Sequence, residues 1–184
     1  LKKIAGFFID IEVVGLSSGN VKKIIDAGND SVPKILAMNV EDFLKVSGFK
    51  ETLANKIYTN IKKQIQAVSL ITLMKSTNIF GRGLGERKIR PIMEEYPDIL
   101  VNKESDDDKI KKVMKVKGMA KKSAESFVES IEDFNLFLIQ VNLTNKLNDV
   151  PEMKNVDTDH PLYGKKIVMT GFRDKILEES IRNV

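Results

Sequence analysis

Cysteine and tryptophan are missing from this 184-residue chain, and histidine occurs once. Without cysteine there is no disulfide framework, no thiolate zinc site and no thiol nucleophile. His160 stands alone, which excludes a metal site built on several histidines. Aromatic residues make up only 7%, with no cluster of the kind on which single-stranded bases stack. No apolar run approaches the roughly 20 residues needed to cross a bilayer, and no secretory signal precedes the fold. An intracellular, soluble protein with no membrane partner is therefore expected. It is also expected to be a piece of a longer one, since it begins at Leu1. What is present suffices for a core: 42% of residues are hydrophobic, and the length suits one ordinary domain or two small ones.

The formal net charge is only +4, but it is unevenly spread. Residues 109–122 hold seven lysines and no acid, whereas Glu125, Glu129, Glu132 and Asp133 follow with no cation among them. Arg82, Arg87, Lys88 and Arg90 form a second basic group. Clustered cations point to a polyanionic partner, against a solvated helix face as the plain alternative.

One pattern recurs four times. An apolar residue is bracketed by Gly and a small or polar residue, and apolar residues then follow at helical spacing. The copies are Gly15-Leu16-Ser17 with Val21 and Ile24, Gly48-Phe49-Lys50 with Ala54 and Ile57, Gly83-Leu84-Gly85 with Ile89 and Ile92, and Gly118-Met119-Ala120 with Ala124 and Phe127. Their first glycines are 33, 35 and 35 residues apart. Apolar segments also precede the glycines, such as Phe43, Leu44 and Val46, or Ile110, Val113, Met114 and Val116. Each copy reads as helix, tight glycine bend, helix, because Gly accepts the positive φ that such a reversal needs. Gly28 sits where the first copy's second helix should end. Phe43, Phe49, Phe127, Phe134 and Phe137 read as core.

The second helix of each copy begins with backbone N–H groups that have no intrahelical partner, at the positive end of the helix dipole. A bend without a bulky side chain lets those amides reach a phosphate. Such a site reads backbone rather than base. The twelve bend residues are thus candidate phosphate contacts. Lys22, Lys23, Arg82, Arg87, Lys88, Lys117, Lys121 and Lys122 are candidate basic contacts, with the third and fourth bends the best placed.

These copies resemble the helix-hairpin-helix motif, and four in series resemble the helix-hairpin-helix domain of NAD-dependent DNA ligases. Phe7, Ile11, Glu12, Gly15 and Leu16 look like that domain's opening segment. Asn55 through Ile61, Ile79, and Gly81-Arg82-Gly83-Leu84-Gly85-Glu86 look like its central helix and third hairpin. The resemblance implies an all-α domain over residues 1–143, made of two paired units at about 1–68 and 69–143. A polar linker with Pro151 and Pro161 would follow over 144–162. Residues 163–184, beginning Gly164-Lys165-Lys166-Ile167-Val168-Met169-Thr170-Gly171-Phe172, resemble the first strand and helix of an α/β BRCT domain. The implied partners are duplex or nicked DNA and the remaining ligase domains. In the implied parent NAD, Mg and Zn serve as cofactors, and this segment holds none of them. Neither the four-Cys zinc module nor the Lys-x-Asp-Gly nucleotidyl-transfer motif is present, so no catalysis is expected here.

Several departures bear on these expectations. Ser17, Lys50 and Ala120 replace the second glycine, and Lys50 casts the second bend as structural or as a side-chain contact. Pro91 should kink or shorten its helix, since it removes a bond to the Arg87 carbonyl. Asp106-Asp107-Asp108 reads as a solvated loop rather than a cation site. Two alternative functions stand beside the ligase reading: the DNA-binding module of a repair nuclease or junction-binding protein, and a helical protein-interaction scaffold.

Overall fold

A computed structural model describes residues 1–149. Among these the chain is all-helical, without strands. The expected BRCT start at 163–184, and residues 150–162 of the expected linker, lie outside the described residues. The first five residues assigned to that linker, Thr144–Asn148, are a 3-10 helix.

Eight of the helices flank the four glycine bends. Helices α1 (Lys2–Asp10) and α2 (Ser18–Asp26) enclose the first, and α4 (Val40–Leu44) and α5 (Glu51–Ala67) the second. Helices α6 (Leu70–Thr77) and α7 (Glu86–Glu95) enclose the third, and α8 (Asp106–Lys115) and α9 (Lys121–Glu129) the fourth. Between them, α3 (Val32–Ala37) joins the first two pairs, and α10 (Ile131–Gln140) follows the last. Each pair packs along its length, and α1 also packs on α6, tying the first half of the fold to the second.

The apolar stripes face inward as the spacing requires. Ala54, Ile57 and Ile61 of α5 are buried, as are Ala124 and Phe127 of α9. A row of phenylalanines runs through the centre. Phe8 meets Phe7 at 5.2 Å, Phe7 meets Phe137 at 6.2 Å, and Phe137 meets Phe134 at 6.4 Å. Phe134 then meets Phe80 at 5.3 Å, and Phe80 stacks on Phe127 at 5.0 Å. Each such side chain contributes on the order of 2 kcal/mol by leaving water, and the Phe7–Phe137 pair joins the two halves. Phe43 and Phe49 are buried elsewhere in the core. Near the end of the described chain, the Lys146 ammonium donates to the Gln66 carbonyl at 2.7 Å and fastens the 3-10 helix to the end of α5.

Pro91 does not end its helix: α7 runs through it to Glu95. The missing bond falls at the carbonyl of Arg87, an exposed residue, where water can replace the lost donor. Gly28 follows the C-cap of α2 with φ +96°, the left-handed geometry of a helix stop.

Candidate nucleic-acid interface

All four bends have one backbone plan. Gly15, Gly48, Gly83 and Gly118 have φ of +98°, +79°, +89° and +84°, the region L side chains avoid. The residue after each glycine is a plug: Leu16, Phe49, Leu84 and Met119 are all buried between exposed or half-buried neighbours. Their side chains therefore belong to the core, and two of their amides are already used, Phe49 donating to Val46 at 3.0 Å and Met119 to Val116 at 3.1 Å. The third residue caps the second helix. Ser17, Lys50, Gly85 and Ala120 have φ of −62°, −109°, −83° and −90° with extended ψ, a conformation open to any residue. A second glycine is not required there, so Lys50 leaves the second bend intact.

The helix starts divide into two kinds. Three of the four helices that lead into a bend start with a side-chain cap, Asn39 on α4, Ser69 on α6 and Ser105 on α8, each accepting from the third amide of its helix, while α1 has none. Where a helix leaves the second, third or fourth bend, no side chain caps it. Among the described residues the amides of Glu51, Thr52 and Leu53, of Glu86 and Arg87, and of Lys121 and Lys122 have no protein acceptor. At least two N–H groups are thus available to an anion at the positive end of each of these three helices. At the first bend the Ser18 and Gly19 amides are open as well, and that helix start differs in having a side-chain cap, Ser17 Oγ accepting from the Asn20 amide at 3.4 Å.

Space around the glycines divides the bends in the same way. A Cβ on Gly83 or Gly118 would meet nothing within 4 Å. On Gly15 it would lie 3.0 Å from Ile57 Cγ1, so the first bend is pressed against α5. The Gln64 side chain of α5 also donates to the Glu12 carbonyl beside that bend, at 3.1 Å. In the second half of the chain a Cβ on Gly81 would be in ordinary contact with Ser126 Oγ of α9, at 3.7 Å, and Gly83 stands clear.

The cations do not all sit where their sequence neighbours place them. Lys23, assigned to the first bend, has its ammonium 3.2 Å from the Cβ position of Gly48. Together with exposed Lys50 it makes the second bend cationic, while Lys22 stays exposed on α2. Around the third bend Arg82 and Arg87 are exposed and Lys88 is half-buried, and Glu86 is held by Arg90 at 2.6 Å. The fourth bend has exposed Lys117, Lys121 and Lys122, and no acid in the first turn of α9. Lys115, overlooked in the sequence, is exposed in the last turn of α8 beside the same bend.

Asp106-Asp107-Asp108 is not a loop but the first turn of α8, where carboxylates complement the helix dipole. Asp108 accepts from Ser105 Oγ at 2.7 Å and pairs with Lys111 at 3.1 Å, and these contacts, the serine first, hold its carboxyl below the usual range. Among the described residues no group of three His, Cys, Asp or Glu side chains is arranged to hold a metal ion. No described helix is long and apolar enough to cross a membrane.

A family profile described as a SAM-like helix-hairpin-helix tandem matches residues 9–63, the first two bends. The chain is 32% identical to a DNA ligase of Acanthamoeba polyphaga mimivirus, over all of this chain and 29% of that protein. It is 27% and 23% identical to proteins named as DNA ligases in Invertebrate iridescent viruses 3 and 6. Those matches cover 80% and 100% of this chain and 17% and 28% of the relatives. No solved structure matches. The chain thus spans less than a third of the length of these relatives. It carries a helix-hairpin-helix segment and is homologous to viral DNA ligases.

Proposed function

We propose that this chain is the duplex-gripping part of an NAD-dependent DNA ligase, holding nicked DNA by its sugar-phosphate backbone without reading sequence. The observation that carries this is the pairing of uncapped helix starts with cations at the second, third and fourth bends. Each open start offers two amides to one phosphate, and the neighbouring Lys or Arg adds charge without base contact. The four bends act as two paired helix-hairpin-helix units, about 1–68 and 69–143, with the first bend supporting the second. A linker and a BRCT domain would follow.

Bond making belongs to other domains of the parent, where AMP passes from NAD through a lysine to the nick 5′-phosphate and the 3′-hydroxyl then attacks. Zn and Mg chemistry is assigned to those domains as well, and so is NAD. This chain supplies position and affinity.

Salt titration tests the reading. Neutralising five phosphates gives a log–log slope of about −4.5 for duplex binding, similar across unrelated sequences. A flat salt dependence, or strong preference for one sequence, would contradict backbone grip.

A further inference from the structure

Helix α10 is apolar on two sides. Ile131, Phe134 and Leu138 point into the core, while Leu136 and Ile139, on the opposite face, are 55% and 64% exposed. Ile139 is the most exposed large apolar side chain among the described residues. An apolar stripe of this kind on a helix calls for a cover. Leu136 and Ile139 line a groove of about 570 Å³, together with Leu147 and exposed Val101.

Three carboxylates also line the groove: Asp106 of α8, Glu129 at the end of α9 and Glu132 of α10. Against them stands one cation, Lys109, which is buried and makes no ion pair among the described residues. Asn135 adds a further demand. Its Nδ2 donates to the Leu100 carbonyl at 2.8 Å, but its Oδ1 is buried with no donor.

We infer that this groove is a docking surface for a basic amphipathic protein segment, an apolar helix side flanked by Lys or Arg. The apolar floor takes the aliphatic side chains, the three carboxylates pair with the flanking cations, and an N–H of the partner reaches Asn135 Oδ1. Duplex DNA does not fit, because its phosphates would face the carboxylates. A second copy does not fit either, since a twofold contact would set these acids against themselves. The surface lies apart from the open helix starts, at the other end of α9 from Lys121 and Lys122. Docking therefore leaves the phosphate-binding amides free.

The test uses the full 184-residue chain and two synthetic helical peptides, one of leucine and lysine, the other of leucine and glutamate. The expected result is salt-sensitive binding of the leucine–lysine peptide alone, with amide shifts mapped to α10 and the end of α9. Ile139→Ser, at an exposed position, and Glu129→Lys with Glu132→Lys should each weaken that binding about tenfold, the scale of an interface anchor, with duplex affinity unchanged. Equal binding of both peptides, or shifts confined to the glycine bends, would overturn the inference. So would a wild-type dimer that Ile139→Ser converts to monomer. The same holds if Ile139→Ser moves resonances of residues 150–184, which would mean that the chain already fills its own groove.

Discussion

The first and fourth glycine bends have the same backbone and opposite surroundings. Both have a left-handed glycine, a buried plug and an extended cap residue. At the first bend Gly15 lies against Ile57, and the helix start is capped by Ser17. At the fourth bend Gly118 faces open space, and α9 starts uncapped among exposed lysines. One glycine permits close packing inside the protein, and the other permits close approach from outside. The repeat therefore supplies a turn, and its surroundings decide whether the turn is open to a ligand.

This contrast can be broken most sharply by adding a side chain at each glycine. Gly15→Val should be the most damaging change to the fold. Overpacking against Ile57 and a strained left-handed backbone together cost about 3 kcal/mol, read as a large fall in melting temperature. Gly118→Val costs only the backbone strain, about 1–2 kcal/mol, because nothing stands near its Cβ. Its duplex affinity should nevertheless fall about tenfold, the loss of one charge-assisted contact. Equal damage to folding at both sites, or unchanged duplex binding by folded Gly118→Val, would erase the distinction.

Smaller changes sharpen it. Lys121→Ala should weaken binding to all duplexes alike and reduce the salt slope by about 0.9 if one phosphate contact is lost. Lys23→Ala should behave in the same way, although its sequence neighbours belong to the closed bend, because its ammonium lies at the second. The smallest effect concerns the caps of the lead-in helices. Contacts with Lys45 and the Asn39 amide hold the Asp42 carboxyl below its ordinary value, and Ser105 and Lys111 do the same for Asp108. A depressed folded pKa contributes stability above about pH 4 that is lost as pH falls through the lower folded value. A modest drop in melting temperature between about pH 5 and pH 3, reduced in Asp108→Asn, checks this.

The glycine register and the buried stripes were legible because they are local: a positive φ and a 3.6-residue period leave marks in the sequence. The backbone at the third bend residue is extended and suits any side chain, so the missing second glycine costs the turn nothing. Asp106–Asp108 carries a readable signal of a helix start rather than a loop, a serine cap before an acidic first turn. Pro91 does not stop its helix, and its lost bond lies at an exposed residue. Two features had no local signal at all. The reach of Lys23 to the second bend and the closure of Gly15 by Ile57 both arise from packing between helices far apart in the chain.

The central claim, that uncapped amides behind the second, third and fourth bends hold phosphates, is tested most directly by backbone amide shifts of the full chain titrated with nicked duplex. The account predicts the largest shifts at Glu51 and Thr52, Glu86 and Arg87, and Lys121 and Lys122, with the capped starts of α4, α6 and α8 unmoved. Shifts concentrated at those capped starts, with these six amides silent, would contradict it.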